Sequence, residues 1–189
     1  RDLGRILVSS SAGCPSDRGV VRDTRTDTGR ADTGLFSYTQ ILHLLKIEFS
    51  RAKRYQYQLS CVLLEVDRLG ALGDMHGSEM RDQIEAAVAD LLNRYSRSCD
   101  FVGRLGERFV IVLPHTDAKG AQLLAQRLHD RVSELDVRVD ERPLRVSASV
   151  GVATQEGDES IFFDTVLKRA ESALGEVVSR GGDSVAMAP

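Results

Sequence analysis

The residues with most to offer chemically stand close together between Arg97 and Phe109. Arg97 and Asp100 form an Arg-x-x-Asp pair, a cation and a carboxylate able to hold one ligand between them. They precede two apolar runs, Phe101-Val102 and Phe109-Val110-Ile111-Val112-Leu113, which read as the strands of a hairpin with Gly106 at its bend. Glu107 and Arg108 occupy the bend itself. A second group of charges, Glu65 and Asp67, closes the near-continuous apolar run that starts at Leu59, and the end of a buried strand is where an active site would put its carboxylates. The plain alternative is a surface ion pair on an ordinary hairpin.

Composition narrows the classes. A chain of 189 residues, 42% of them apolar, fits one domain with a real core plus a tail. A net charge of −3 with both signs mixed along the chain argues against the broad basic face of a nucleic-acid binder. It leaves room for a small anionic ligand held by a few arginines. Cys14, Cys61 and Cys99 lack metal-ligand spacing, and the last two lie in apolar, strand-like runs where a thiol packs as a small hydrophobe. A reduced, cytoplasmic compartment is the expectation. No apolar run approaches a membrane span and no signal-peptide pattern opens the chain, so membrane insertion is not expected. A chain that opens on Arg1 is expected to be a fragment or a processed form.

The elements that must position these residues follow from periodicity. Residues 1–31 are read as a flexible N-terminal tail or linker, because the Ser-, Asp-, Arg-, Thr- and Gly-rich stretch shows no period and too little apolar surface to offset its ordering entropy. Ile41, Leu44, Leu45 and Phe49 mark a first helix over Tyr38 to Arg54, with Arg51, Lys53 and Arg54 at its C-terminal end. The strand from Leu59 follows, then one helix carrying Ile84, Ala87, Val88, Leu91 and Leu92, then the hairpin. A helix carrying Ala121 to Val132, strands at Val137–Val139 and Leu144–Ala153 with Arg142 and Pro143 near the turn between them, a last helix carrying Phe162 to Val177, and an edge strand at Ser184–Met187 complete the order. The predicted fold class is α+β: a ferredoxin-like, nucleotide-cyclase-like sandwich in which helices flank a mostly antiparallel sheet.

Taken in order, several segments of this chain resemble the GGDEF domain family, whose members are diguanylate cyclases or their inactive relatives. Thr33-Gly34-Leu35-Phe36 is similar to the family's entry motif, Glu65-Val66-Asp67 to its Asp-x-Asp strand end, and Leu113-Pro114-His115-Thr116-Asp117 to the segment after its hairpin. Ser149-Val150-Gly151-Val152-Ala153 and Ala173-Leu174 resemble its late strand and final helix. The likeness assigns residues 32–189 to a degenerate domain of this family.

The resemblance implies a catalytic inventory, and the chain departs from it. Joining two GTP molecules takes carboxylates that hold Mg²⁺ on the triphosphate. Glu65 stands where the family has its first metal-binding Asp, and Gly-Gly-Asp-Glu-Phe is shortened to Gly106-Glu107-Arg108-Phe109. Glu65 and Glu107 are therefore weak metal candidates, while Arg108 would repel the cation or contact a phosphate. Gly73 replaces the guanine-contacting Asn, although Asp82 matches its companion Asp. Val178 replaces the phosphate-binding Lys and Gly182 the Arg after it, with Arg180 as a displaced substitute. Asp67 and Asp82 are equally well read as solvated or helix-end carboxylates. The expectation is a chain that is not an enzyme and needs no metal cofactor.

Arg97 and Asp100 occupy the register at which active relatives bind their product, cyclic di-GMP. An arginine fork bonds guanine O6 and N7, and a carboxylate accepts from N1 and N2. Arg51 matches a basic position that reaches the ligand from a neighbouring surface, or is a solvated helix-end charge. The expected function is thus a cyclic di-GMP receptor acting through an unknown protein effector or a ligand-bound homodimer. The alternatives are a protein–protein interaction domain with vestigial nucleotide sites and a weakly active diguanylate cyclase.

Overall fold

Ser37 starts the first helix, because its hydroxyl accepts from Gln40 N while the Gln40 side chain accepts from Ser37 N, a reciprocal cap on two otherwise unpaired donors. The structure is a computed structural model that describes residues 34–139, 142–155 and 163–189. The predicted tail, with Cys14, and Phe162 lie outside the described residues. The elements are α1 (Tyr38–Tyr55), β1 (Leu59–Val66), α2 (Leu69–His76), α3 (Ser78–Tyr95), β2 (Phe101–Leu105), β3 (Arg108–Pro114), α4 (Ala118–Ser133), β4 (Val137–Val139), β5 (Arg142–Leu144), β6 (Ala148–Gln155), α5 (Phe163–Ser179) and β7 (Val185–Met187).

Five strands form the central sheet in the order β2-β3-β1-β6-β7, antiparallel except for the β6–β7 pair, as the predicted fold class requires. Strand alternation sorts β1 onto two cores. Val62, Leu64 and Val66 face α3 and α4, while Leu59, Cys61 and Leu63 face α1 and α5. Cys61 is fully buried, and that burial, with Glu171 adding to it, pushes its thiol up to about 12.

Three sequence expectations need correction. The single helix expected between β1 and the hairpin is two, divided at Gly77, whose φ of 95° no other residue adopts cheaply. The first of these, Leu69–His76, buries only Leu69 and so left no apolar stripe to detect. The long strand expected over Leu144–Ala153 is split: Arg142–Leu144 pairs with β4 in a separate two-stranded ribbon, and Ala148–Gln155 enters the central sheet. Cys99 lies in the turn before β2 and not in a strand.

β7 is held to the sheet by a polar brace. Asp67, just past β1, accepts from Ser147 Oγ at 2.7 Å, Ser149 Oγ at 2.6 Å and Asp183 N at 3.0 Å. The Asp183 carboxylate meets His129 Nε2 of α4 at 3.1 Å, and His129 Nδ1 meets Asp130 at 3.0 Å. Asp67 is therefore neither solvated nor a helix cap, which corrects that reading.

Two outcomes follow from this packing. A Cβ on Gly151 would lie 2.3 Å from Ala170 O and 2.4 Å from Leu174 N, backbone atoms of α5 that cannot swing aside. Gly151→Ala is expected to cost about 3 kcal/mol, the upper end for overpacking, read from the urea midpoint. Partial burial opposes the charge on His129, but its bonds to Asp130 and Asp183 outweigh this and raise its pKa above the ordinary 6.5. The stabilisation is then complete below that value and lost as pH rises through the higher folded one. Melting curves of wild type and His129→Gln should converge at alkaline pH and separate as the pH falls.

Candidate functional site

At one end of the sheet the hairpin sets the geometry. Gly106, with φ 65°, allows a two-residue turn in which Leu105 pairs with Arg108. Leu64 pairs with Phe109, so Glu65 and Arg108 are the next residues facing each other across β1 and β3. Arg108 Nε donates to Glu65 Oε2 at 2.8 Å. Glu107 turns the other way and accepts from Arg81 Nη2 at 2.8 Å. Arg81 also reaches the buried Glu85, which pairs with Arg104 at 2.7 Å, and the Arg104 guanidinium lies 5.2 Å from the centre of the Phe109 ring.

These contacts decide how the residues suit a divalent cation. Mg²⁺ needs carboxylate oxygens at short range in near-octahedral order. Glu65 and Glu107 are each held by a different arginine, and Asp67 is spent on its two serines and the Asp183 amide. Among the described residues no three His, Cys, Asp or Glu side chains converge as metal ligands. The residues as arranged do not fit the metal.

The remaining positions named in the sequence lie on α2, on α3, and on or just past α5. A side chain at Gly73 would meet Arg81 Cβ at 3.4 Å, and Asp82 is exposed on α3. Val178 is exposed on α5, Arg180 pairs with Glu176 at 3.5 Å, and Gly182 packs against the Asp67 carboxylate with a φ of 81°.

The opposite end of the sheet carries Arg97 and Asp100. Arg97 and Asp100 form a closed turn: Asp100 Oδ2 accepts from Arg97 N at 2.7 Å, and Asp100 N donates to Arg97 O at 3.0 Å. Among the described residues this leaves Oδ1 with a weak thiol donor, Cys99, at 3.9 Å. Burial pushes the Asp100 carboxyl above the usual value, outweighing the Arg97 amide bond, the Arg97 charge and the thiol. The Arg97 side chain is exposed and has no hydrogen-bond or ion-pair partner among the described residues. A notch of about 110 Å³ opens beside the pair, bounded by Tyr95, Leu113, Thr116, the first turns of α4 and Arg127.

Arg127 was missed by the sequence reading. It is exposed on α4 one turn after Leu123, and nothing in its local spacing ties it to Arg97. Arg51 is at the same end of the sheet but on the opposite face, where it pairs with the buried Glu48 at 2.6 Å while Tyr57 Oη donates to the same carboxylate at 2.9 Å. It does not reach Arg97 or Asp100 within this chain. Arg94 pairs with Asp90.

The chain matches the family described as diguanylate cyclase, GGDEF domain, over residues 31–184. It is 33% identical to diguanylate cyclase DgcM of Escherichia coli K12 over 82% of this chain and 37% of that protein. It is 28% identical to diguanylate cyclase DgcP of Pseudomonas aeruginosa over 82% of this chain and 23% of that protein. It thus spans well under half the length of these curated relatives. Among solved structures, the GGDEF domain of DgcB from Caulobacter crescentus in complex with c-di-GMP superposes with a TM-score of 0.77 at 21% identity, over 87% of this chain and 98% of that one. Diguanylate cyclase SiaD of Pseudomonas aeruginosa, in complex with its activator SiaC, does so with a TM-score of 0.77 at 30% identity, over 84% and 61%. Relatives at 28–33% identity are named diguanylate cyclases, which overturns the expectation that the chain is not an enzyme but an inactive relative of them. A continuous family match and shared fold lead to one conclusion: the chain belongs to the diguanylate cyclase GGDEF domain family.

Proposed function

We propose that this domain binds cyclic di-GMP at the turn before β2, with Arg97, Asp100 and Arg127 as its ligand residues. The observation that carries the reading is the meeting of two exposed guanidiniums and a partly buried carboxylate around one notch. The Arg97 fork suits guanine O6 and N7, and Asp100 Oδ1 suits the N1 and N2 donors of the same base. Arg127 adds a second cation for a ligand that carries two phosphates. At about 110 Å³ the notch is smaller than the roughly 300–1,000 Å³ of a pocket that encloses its ligand, so it takes one edge of the dinucleotide and leaves the rest open. That open side is where a second copy or a protein effector meets the ligand. A relative bound to its activator supports a second reading, a surface for a protein partner alone.

Calorimetric titration with cyclic di-GMP separates the two. Arg97→Ala and Arg127→Ala should each weaken binding by about 1–3 kcal/mol, roughly five- to 150-fold, with unchanged melting temperature. Absence of heat with the wild-type chain would favour the protein-partner reading. Arg51→Ala should lower the melting temperature, because it strips the buried Glu48 of its cation, and leave ligand affinity of the monomer unchanged.

Acid should weaken binding, because the carboxylate must be ionised to accept from guanine. Its pKa lies above the ordinary 3.8, so affinity should fall as pH drops at a higher pH than an unperturbed aspartate would give. Asp100→Asn should bind more weakly throughout and lose that part of the pH profile.

A further inference from the structure

The metal expected at the end of β1 and the side chains found there disagree, and the disagreement has a definite shape. We propose that Arg108 is an internal counter-cation standing where a divalent ion would sit, so that Glu65 is neutralised from within the chain and the strand end is closed to metals.

The register makes this an outcome of the short turn. With Leu105 paired to Arg108 and Leu64 to Phe109, the first side chain of β3 is carried directly opposite Glu65. Its guanidinium meets Oε2 at 2.8 Å, the length of a charge-assisted hydrogen bond. A divalent ion at Glu65 would have to displace this cation or sit beside it, and the second choice is repulsive. Displacement also lacks support, because a metal needs further oxygens. Glu107 points to Arg81 on α3, within a chain of pairs that ends at the buried Glu85 and Arg104. Asp67 is consumed by Ser147, Ser149 and the Asp183 amide, and a bulkier residue at Gly182 would clash with it. Three acidic side chains therefore stand at one end of the sheet with each already neutralised or bonded by the protein.

This inference is independent of the cyclic di-GMP site, and its test reads metal binding directly. The full chain is titrated with Mn²⁺ and the free ion is followed by electron paramagnetic resonance. Wild type should show no saturable site that Glu65→Gln removes. Arg108→Glu should tighten Mn²⁺ binding by about tenfold or more relative to wild type, and the added Glu65→Gln should abolish the gain. Arg108→Gln, which frees Glu65 without adding a ligand, should give a smaller gain and decides the matter if Arg108→Glu does not fold. Saturable Mn²⁺ binding by wild type that Glu65→Gln weakens would overturn the proposal. So would the absence of any gain in a folded Arg108→Glu or Arg108→Gln chain, judged by circular dichroism.

Discussion

Burial of β1 on both faces is the constraint from which the rest of the structure follows. Its side chains alternate between two apolar layers, and its backbone is paired to β3 on one edge and β6 on the other. A strand enclosed this way tolerates polar residues only at its ends or with a partner. Ser60, fully buried near the first end, is tolerated because its hydroxyl donates to Thr116 O at 2.8 Å and also meets Thr154 at 2.7 Å. That bond fixes the segment between β3 and α4, where Thr116 forms part of the notch beside Arg97. At the other end the charges emerge as Glu65 and Asp67. The two polar ends of one apolar strand thus place the two candidate sites on opposite sides of the domain.

The ends differ in how their charges are satisfied. Around the hairpin every arginine of the cluster has a carboxylate: Arg108 with Glu65, Arg81 with Glu107 and Glu85, Arg104 with Glu85. A buried Glu85 requires this, since an unpaired carboxylate inside the protein would cost several kcal/mol, on the order of its effective desolvation penalty. Around Arg97 the cations are exposed and the carboxylate is half used by a backbone amide. Charge that is already neutralised internally has little left to offer a ligand, whereas charge left open can be completed by one.

The brace through Asp67 extends the same logic to the edge of the sheet. β7 is short, and its own pairing with β6 is only three residues long. Asp67, Asp183 and His129 join the end of β1, the turn before β7 and α4 through hydrogen bonds that cross long stretches of sequence. Asp183 holds a left-handed backbone with φ 52° to do so, next to two glycines with positive φ.

Much of the fold was legible because it is written in local periods. Phe49 after Ile41 and Leu45, the apolar run from Leu59, and the Val-rich run through Val152 each declare a buried face without reference to anything distant. The order of these elements, with Arg97 and Asp100 just before the hairpin and Glu65 at a strand end, was enough to indicate the family. What the sequence could not show was which charges meet. Arg108 and Glu65 are 43 residues apart, Arg81 and Glu107 26 apart, and Ser149 and Asp67 82 apart, so their pairing exists only once strand register and helix docking bring them within hydrogen-bond reach. For the same reason Arg127 could not be joined to Arg97, nor Arg51 separated from it, before the sheet had assigned them to faces. Hydrophobic periodicity is a property of neighbours along the chain, whereas a charge pair is decided by three-dimensional distance and by the burial that makes the pairing necessary.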